Sequence, residues 1–188
     1  MKNLMKLFIT MLFAAILNQA KAQNNSSYAP KNWGIETELI QPFLPNVGII
    51  RLQGTYTFTA LGKLRGDLLF GAYIRPNVKH DIVEKINEYL LITGYRQFFW
   101  KGLHAEAKSN IGYAWGTKNL IDGKDYNKFS WFWEANAGYK FDFAKKQTSN
   151  LYAVAQFGIL SGITADIGPR GGKSDTFIQG NLVVGINF

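Results

Sequence analysis

Apolar and polar residues alternate along most of this chain with a period of two, the period of a β-strand, and not with the 3.6 of a helix. In the final segment Ile178, Gly180, Leu182, Val184, Ile186 and Phe188 share one face, while Gln179, Asn181, Gly185 and Asn187 share the other, with Val183 as the exception. The stretch 129–143 repeats the pattern: Phe129, Trp131, Trp133, Ala135, Ala137, Tyr139, Phe141 and Phe143 face one way, and Ser130, Glu134, Asn136, Lys140 and Asp142 the other, with Phe132 as the misfit. A slip of one residue would bury charge, so the register is fixed. The same template predicts eight strands, at 33–43, 48–59, 68–75, 88–100, 103–116, 129–143, 151–166 and 177–188. Helical periodicity is nearly absent. Its best stretch, 80–86, gives about two turns.

Short connections such as Lys101-Gly102 alternate with longer ones at 76–87, 117–128 and 167–176, as in an up-and-down meander. Eight such strands close into a barrel in one of two ways. A soluble barrel keeps its apolar side chains inside. A transmembrane barrel turns them outward, with aromatic girdles at both rims and a polar interior. Here Trp33, Tyr56, Phe58, Phe99, Tyr139, Phe141, Tyr152 and Phe188 fall towards the rim carrying the termini. Phe43, Tyr89, Tyr113, Trp115, Trp131, Trp133 and Phe177 fall towards the opposite rim. Between them lie Leu52, Ala72, Leu91, Ala105, Ala107, Ala135, Ala137, Ala155, Leu182 and Val184. Trp and Tyr favour a membrane interface because each ring carries a polar tip. The expected fold is therefore all-β: an eight-stranded antiparallel up-and-down transmembrane β-barrel over 33–188.

That fold fixes what faces the lumen. The expected inward set is Glu36, Glu38, Glu106, Glu134 and Asp142 against Arg51, Arg75, Arg96, Lys108 and Lys140. Acidic and basic groups are equal in number, which points to a paired, self-plugging network more than to an ion-selective pore. Arg96 is assigned inward because Arg at the midplane of a bilayer costs roughly 2–4 kcal/mol. Leu90, Ile92 and Phe98 then accompany it.

The first 22 residues add a location. Lys2 and Lys6 precede the apolar run 7–17, and Ala20-Lys21-Ala22 offers a small-x-small cleavage site, so 1–22 reads as an export signal and 23–32 as a polar leader. The run is too short to span a bilayer, and no 18-residue apolar run follows it. The 188 residues contain no cysteine, which removes disulfides, thiolate metal sites and cysteine nucleophiles. Without Lys2, Lys6 and Lys21 the excess of basic residues is modest and scattered, unlike a nucleic-acid footprint.

With these features in place, the chain resembles small outer-membrane β-barrel proteins of Gram-negative bacteria, of the OmpA/OmpX/OmpW type. The resemblance covers about Trp33 to Phe188 and rests on the eight strands, the alternating connections and the ending Leu182-Val183-Val184-Gly185-Ile186-Asn187-Phe188. It implies that Phe188 is part of the signal read by the barrel-assembly machinery, that both termini are periplasmic, and that outer-membrane lipids surround the barrel. The segment 94–102 also resembles barrel domains of uncharacterised function, and no residue role follows from that.

Candidate chemistry is sparse. Around Gly171-Gly172-Lys173-Ser174 a phosphate-binding loop would need glycine where Ile167 stands, and the loop leads into a strand. A cationic outward loop touching lipopolysaccharide through Arg170 and Lys173 is the expectation. Asp122, Asp125 and Asn127 lack the spacing of a calcium loop, and His80 and His104 are the only histidines, so no metal or cofactor is expected. An enzyme resembling lipid A deacylases or palmitoyltransferases would need His80 and Asp81 with Ser130 or Ser174, yet no His-x-Ser arrangement occurs. The expected function is a non-enzymatic structural or surface-interaction barrel. Passage of small apolar solutes, as the OmpW resemblance implies, is the alternative, and the enzyme comes third.

Overall fold

The computed structural model describes residues 32–188 apart from 46, 61–63, 80–81, 146–149 and 165–175. The expected export signal and nearly all of the leader lie outside the described residues, as do His80, Asp81, Arg170, Lys173 and Ser174.

The predicted alternation becomes a closed antiparallel barrel in which each strand pairs with the next and the last returns to the first. The strands are β1 (Trp33–Glu38), β2 (Ile50–Ala60), β3 (Leu64–Val78), β4 (Val83–Trp100), β5 (Leu103–Asn119), β6 (Tyr126–Lys145), β7 (Asn150–Thr164) and β8 (Thr176–Asn187). At the closing seam Gly34 sits opposite Asn187 and Glu38 opposite Val183, and the Phe188 N–H donates to the Trp33 carbonyl at 2.9 Å. No helix among the described residues is long and apolar enough to cross a membrane, which says nothing of strands.

The wall is uneven. β4, β5 and β6 run for 18, 17 and 20 residues, against 6 for β1. A residue of strand adds about 3.3 Å. The long strands therefore project well past their neighbours at the end away from the termini, where Val83 pairs with Asn119 and Gly116 with Tyr126.

Two expectations need correction. The expected helical stretch 80–86 is, in its described part, not helical: from Val83 onward it is strand. Val83 and Ile86 are both buried because the inward parity changes between them, and this reproduces the three-residue spacing of a helix. The first strand ends at Glu38 and not near 43, giving way to a 3-10 turn at Gln41–Phe43. Side chains replace the ladder at that point. The Thr37 hydroxyl donates to the Arg51 carbonyl at 2.7 Å, and the Leu182 N–H donates to Glu38 Oε1 at 3.0 Å. Leu39 makes one last backbone bond to the Leu182 carbonyl, and Pro42 has no N–H with which to continue.

Candidate functional site

Period-two alternation sends every second side chain into the barrel, and the interior is layered. Nearest the termini, the Arg65 guanidinium lies 4.4 Å over the Phe98 ring, and Phe98 packs against His104. Above them Arg96, fully buried, is gripped from three strands. Its Nη2 lies 2.7 Å from Glu36 Oε1 and 2.6 Å from Glu106 Oε2, and its Nη1 lies 3.8 Å from Asp67 Oδ2. Lys108 bridges Glu106 at 2.9 Å and Glu134 at 3.5 Å, and Arg51 reaches Glu134 at 3.0 Å. Arg75 pairs with Glu88 at 3.4 Å.

Neutral donors fill the remaining lone pairs. Tyr152 donates to Glu36 Oε2 at 2.9 Å, and the Gln53 amide also donates to Glu36. Gln156 and Asn136 donate to Glu106, while Asn110 and Gln179 donate to Glu134. Pairing of this kind makes buried charge tolerable, since either partner left alone costs about 3–5 kcal/mol. Farther out the interior turns apolar: Tyr73, Leu90, Ile92 and Phe132 cluster with Ile49 and Leu160 packed against them.

Of the ten expected inward groups, seven join this web: Glu36, Arg51, Arg75, Arg96, Glu106, Lys108 and Glu134. Three do not take the expected form. Glu38 is buried, but its carboxylate accepts backbone N–H groups from Leu182 and Ile40. Lys140 is buried with Nζ over the Tyr152 ring, 3.5 Å from its centroid, and among the described residues it makes no ion pair. Asp142 is only half-buried, beside an irregularity between Asp142 and Ala144. Two aromatic residues expected on the outer rim, Tyr152 and Phe141, are buried instead.

Asp67 and Arg65 escaped the sequence reading because β3 begins earlier than the template placed it, while Glu88, the first residue of the predicted fourth strand, was passed over. Asp67 has the parity of Leu69 and Tyr73, and Glu88 that of Leu90 and Ile92, and all six are buried. That parity was the available signal.

His104 is buried with Nδ1 3.0 Å from the Gly102 carbonyl and Nε2 3.3 Å from Gln156 Oε1, so neither nitrogen faces a nucleophile. Ser130 is fully buried. Among the described residues no group of His, Asp and Glu is arranged to hold a metal ion. At the far end, the turn 120–125 is ordered by Asp122, which accepts from the Tyr126 hydroxyl at 2.6 Å and the Lys124 N–H at 3.1 Å. The Tyr126 hydrogen bond, first, and the Lys124 N–H hold the Asp122 carboxyl below the usual carboxylate range.

The outside has the opposite character. Trp33, Phe99, Trp100, Tyr113, Phe129, Trp133 and Phe188 are exposed at its two ends, and Leu52, Leu68, Phe70, Leu91, Ile111 and Phe157 are exposed between them. Compared with known proteins, the chain matches no family model, no curated protein and no solved structure.

Proposed function

We propose that this chain is an outer-membrane β-barrel, both termini periplasmic, whose lumen is closed by its own charges and whose role is structural or surface-interacting, not catalytic. The inversion of polarity carries the reading: Arg96, Glu36 and Glu106 are buried inside, while Leu91 is 70% and Phe157 65% exposed outside. In water those exposed side chains would make an aggregating surface; in hydrocarbon they are the solvated face. A barrel suits that solvent because closure pairs the backbone donors and acceptors along adjoining strands and so leaves few of them to face lipid. Outer-membrane lipids are then the partners of the belt, lipopolysaccharide that of the far rim, and the barrel-assembly machinery that of Phe188. The projecting β4–β6 sheet would carry Leu120 and Ile121 outward as a contact surface for envelope components or other cells.

Single cysteines test the reading. Ala135→Cys should react with a lipid-soluble thiol reagent and Asn136→Cys should resist it, because Asn136 is buried among interior carboxylates. Equal labelling of both positions would overturn it. The apolar cluster around Leu90, Ile92 and Phe132 favours a second reading, passage of a small apolar solute. That reading requires a continuous path beside the ion pairs.

A further inference from the structure

The early end of β1 leaves one side of β8 uncovered by any described residue. In an antiparallel ladder, residues turn their N–H and C=O alternately to the two neighbouring strands. Leu182 turns both towards β1, where Leu39 and the Glu38 carboxylate meet them. Gly180 and Ile178, two and four residues back, point their backbone groups the same way, and β1 pairing stops at Val183. No described residue pairs with them. Ile178 is 80% exposed, and nothing lies within 4 Å of where a Gly180 side chain would begin. Beyond the end of β1 the next strand is β2, which begins at Ile50.

A second observation lies behind the gap. Gln41 donates to Asn181 Oδ1 at 2.8 Å, yet Gln41 Oε1, Asn181 Nδ2 and Glu38 Oε2 are all buried with no hydrogen-bond partner among the described residues. Buried polar atoms rarely stay unmatched, and each costs about 1–3 kcal/mol. The seam therefore offers backbone groups at strand spacing on its rim, two acceptors and a donor on its inner side, and apolar side chains on its outer side.

We infer that this seam is a strand-acceptor site. An extended segment of a partner polypeptide pairs with Ile178 and Gly180, its outward side chains apolar and its inward ones supplying donors to Glu38 and Gln41. A lipid chain cannot fill that role, because it has nothing to exchange with backbone N–H and C=O. The inference holds whether or not the barrel lies in a membrane, so its failure and that of the cysteine labelling are read separately.

Amide hydrogen exchange on the full folded chain in detergent micelles tests it, with a short synthetic peptide of alternating valine and threonine as the probe. The peptide should slow exchange at Ile178 and Gly180 roughly tenfold or more while leaving Asn181 and Val183, which bond to β7, unchanged. Gly180→Pro removes the donor without touching the β7 ladder and should abolish the effect, whereas Gly180→Ala keeps the N–H and should retain it. Should Gly180→Pro not fold, the peptide effect in the unsubstituted chain decides alone. Amides at Ile178 and Gly180 already as protected as their neighbours without peptide would overturn the inference. So would protection that rises only with protein concentration, which would assign the seam to a second copy.

Discussion

Arg96 and Glu106 form the closest ion pair of the described interior, Nη2 to Oε2 at 2.6 Å with neither side chain exposed, and their backbones face each other across β4 and β5. Adjacent strands thus hold the two charges in register. Glu36 reaches the same guanidinium from the opposite wall, so Arg96 ties the closing seam to the middle of the sheet.

Arg96→Met should cost about 3–5 kcal/mol, because Glu36 would remain buried without its cation and Glu106 with Lys108 alone. Adding Glu36→Gln and Glu106→Gln should restore most of the loss. Urea unfolding from lipid vesicles, followed by tryptophan fluorescence, measures both.

Purified protein in a planar bilayer should show no stable open conductance, since paired side chains from six strands cross the bore. A steady stepwise current would replace the plugged reading with the solute-passage one.

Tyr152 lies flat over Gly185: a side chain beginning there would come within 2.4 Å of the Tyr152 ring. Gly185→Ala should therefore destabilise the barrel by roughly 1–3 kcal/mol. Adding Tyr152→Leu should relieve part of the clash, leaving the Ile35 carbonyl 2.8 Å from the new methyl, whereas Tyr152→Phe should relieve none of it, because the ring remains. The same unfolding measurement distinguishes them.

Thr37→Val keeps the shape of the side chain and removes its bond to the Arg51 carbonyl. The expected loss is about 0.5–1.5 kcal/mol, with faster amide exchange confined to the start of β2. Uniform acceleration across the barrel would show that Thr37 matters for some other reason.

Tyr126→Phe should move the Asp122 titration up towards the ordinary carboxylate range, as read by carboxyl NMR. The sign is that of a depressed acid: the ordering of the turn by Asp122 is complete above its unfolded value and fades as pH falls through the lower folded one. An unchanged titration would mean that the Lys124 N–H alone sets it.

The eight strands and the inward parity of Arg51, Arg96, Lys108, Glu106 and Glu134 were legible because alternation is enforced wherever one face must be buried. What escaped was decided by tertiary competition. β1 ends where the Thr37 and Glu38 side chains outcompete the backbone. Val83 and Ile86 mimic a helical repeat through a change of parity within one strand. Tyr152 turns inward because Gly185, distant in sequence, leaves room for it. Lys140 was predicted to find a carboxylate, but the space beside it is filled by an aromatic ring, which the pairing of β6 with β7 sets diagonally across from it.

Arg65 and Arg96 with Asp67, Glu36 and Glu106, Lys108 and Arg51 with Glu134, and Arg75 with Glu88 cancel one another over a few ångström. Such a cylinder projects almost no net field beyond its mouths. This web of pairs by itself gives a charged molecule drifting past nothing to steer by.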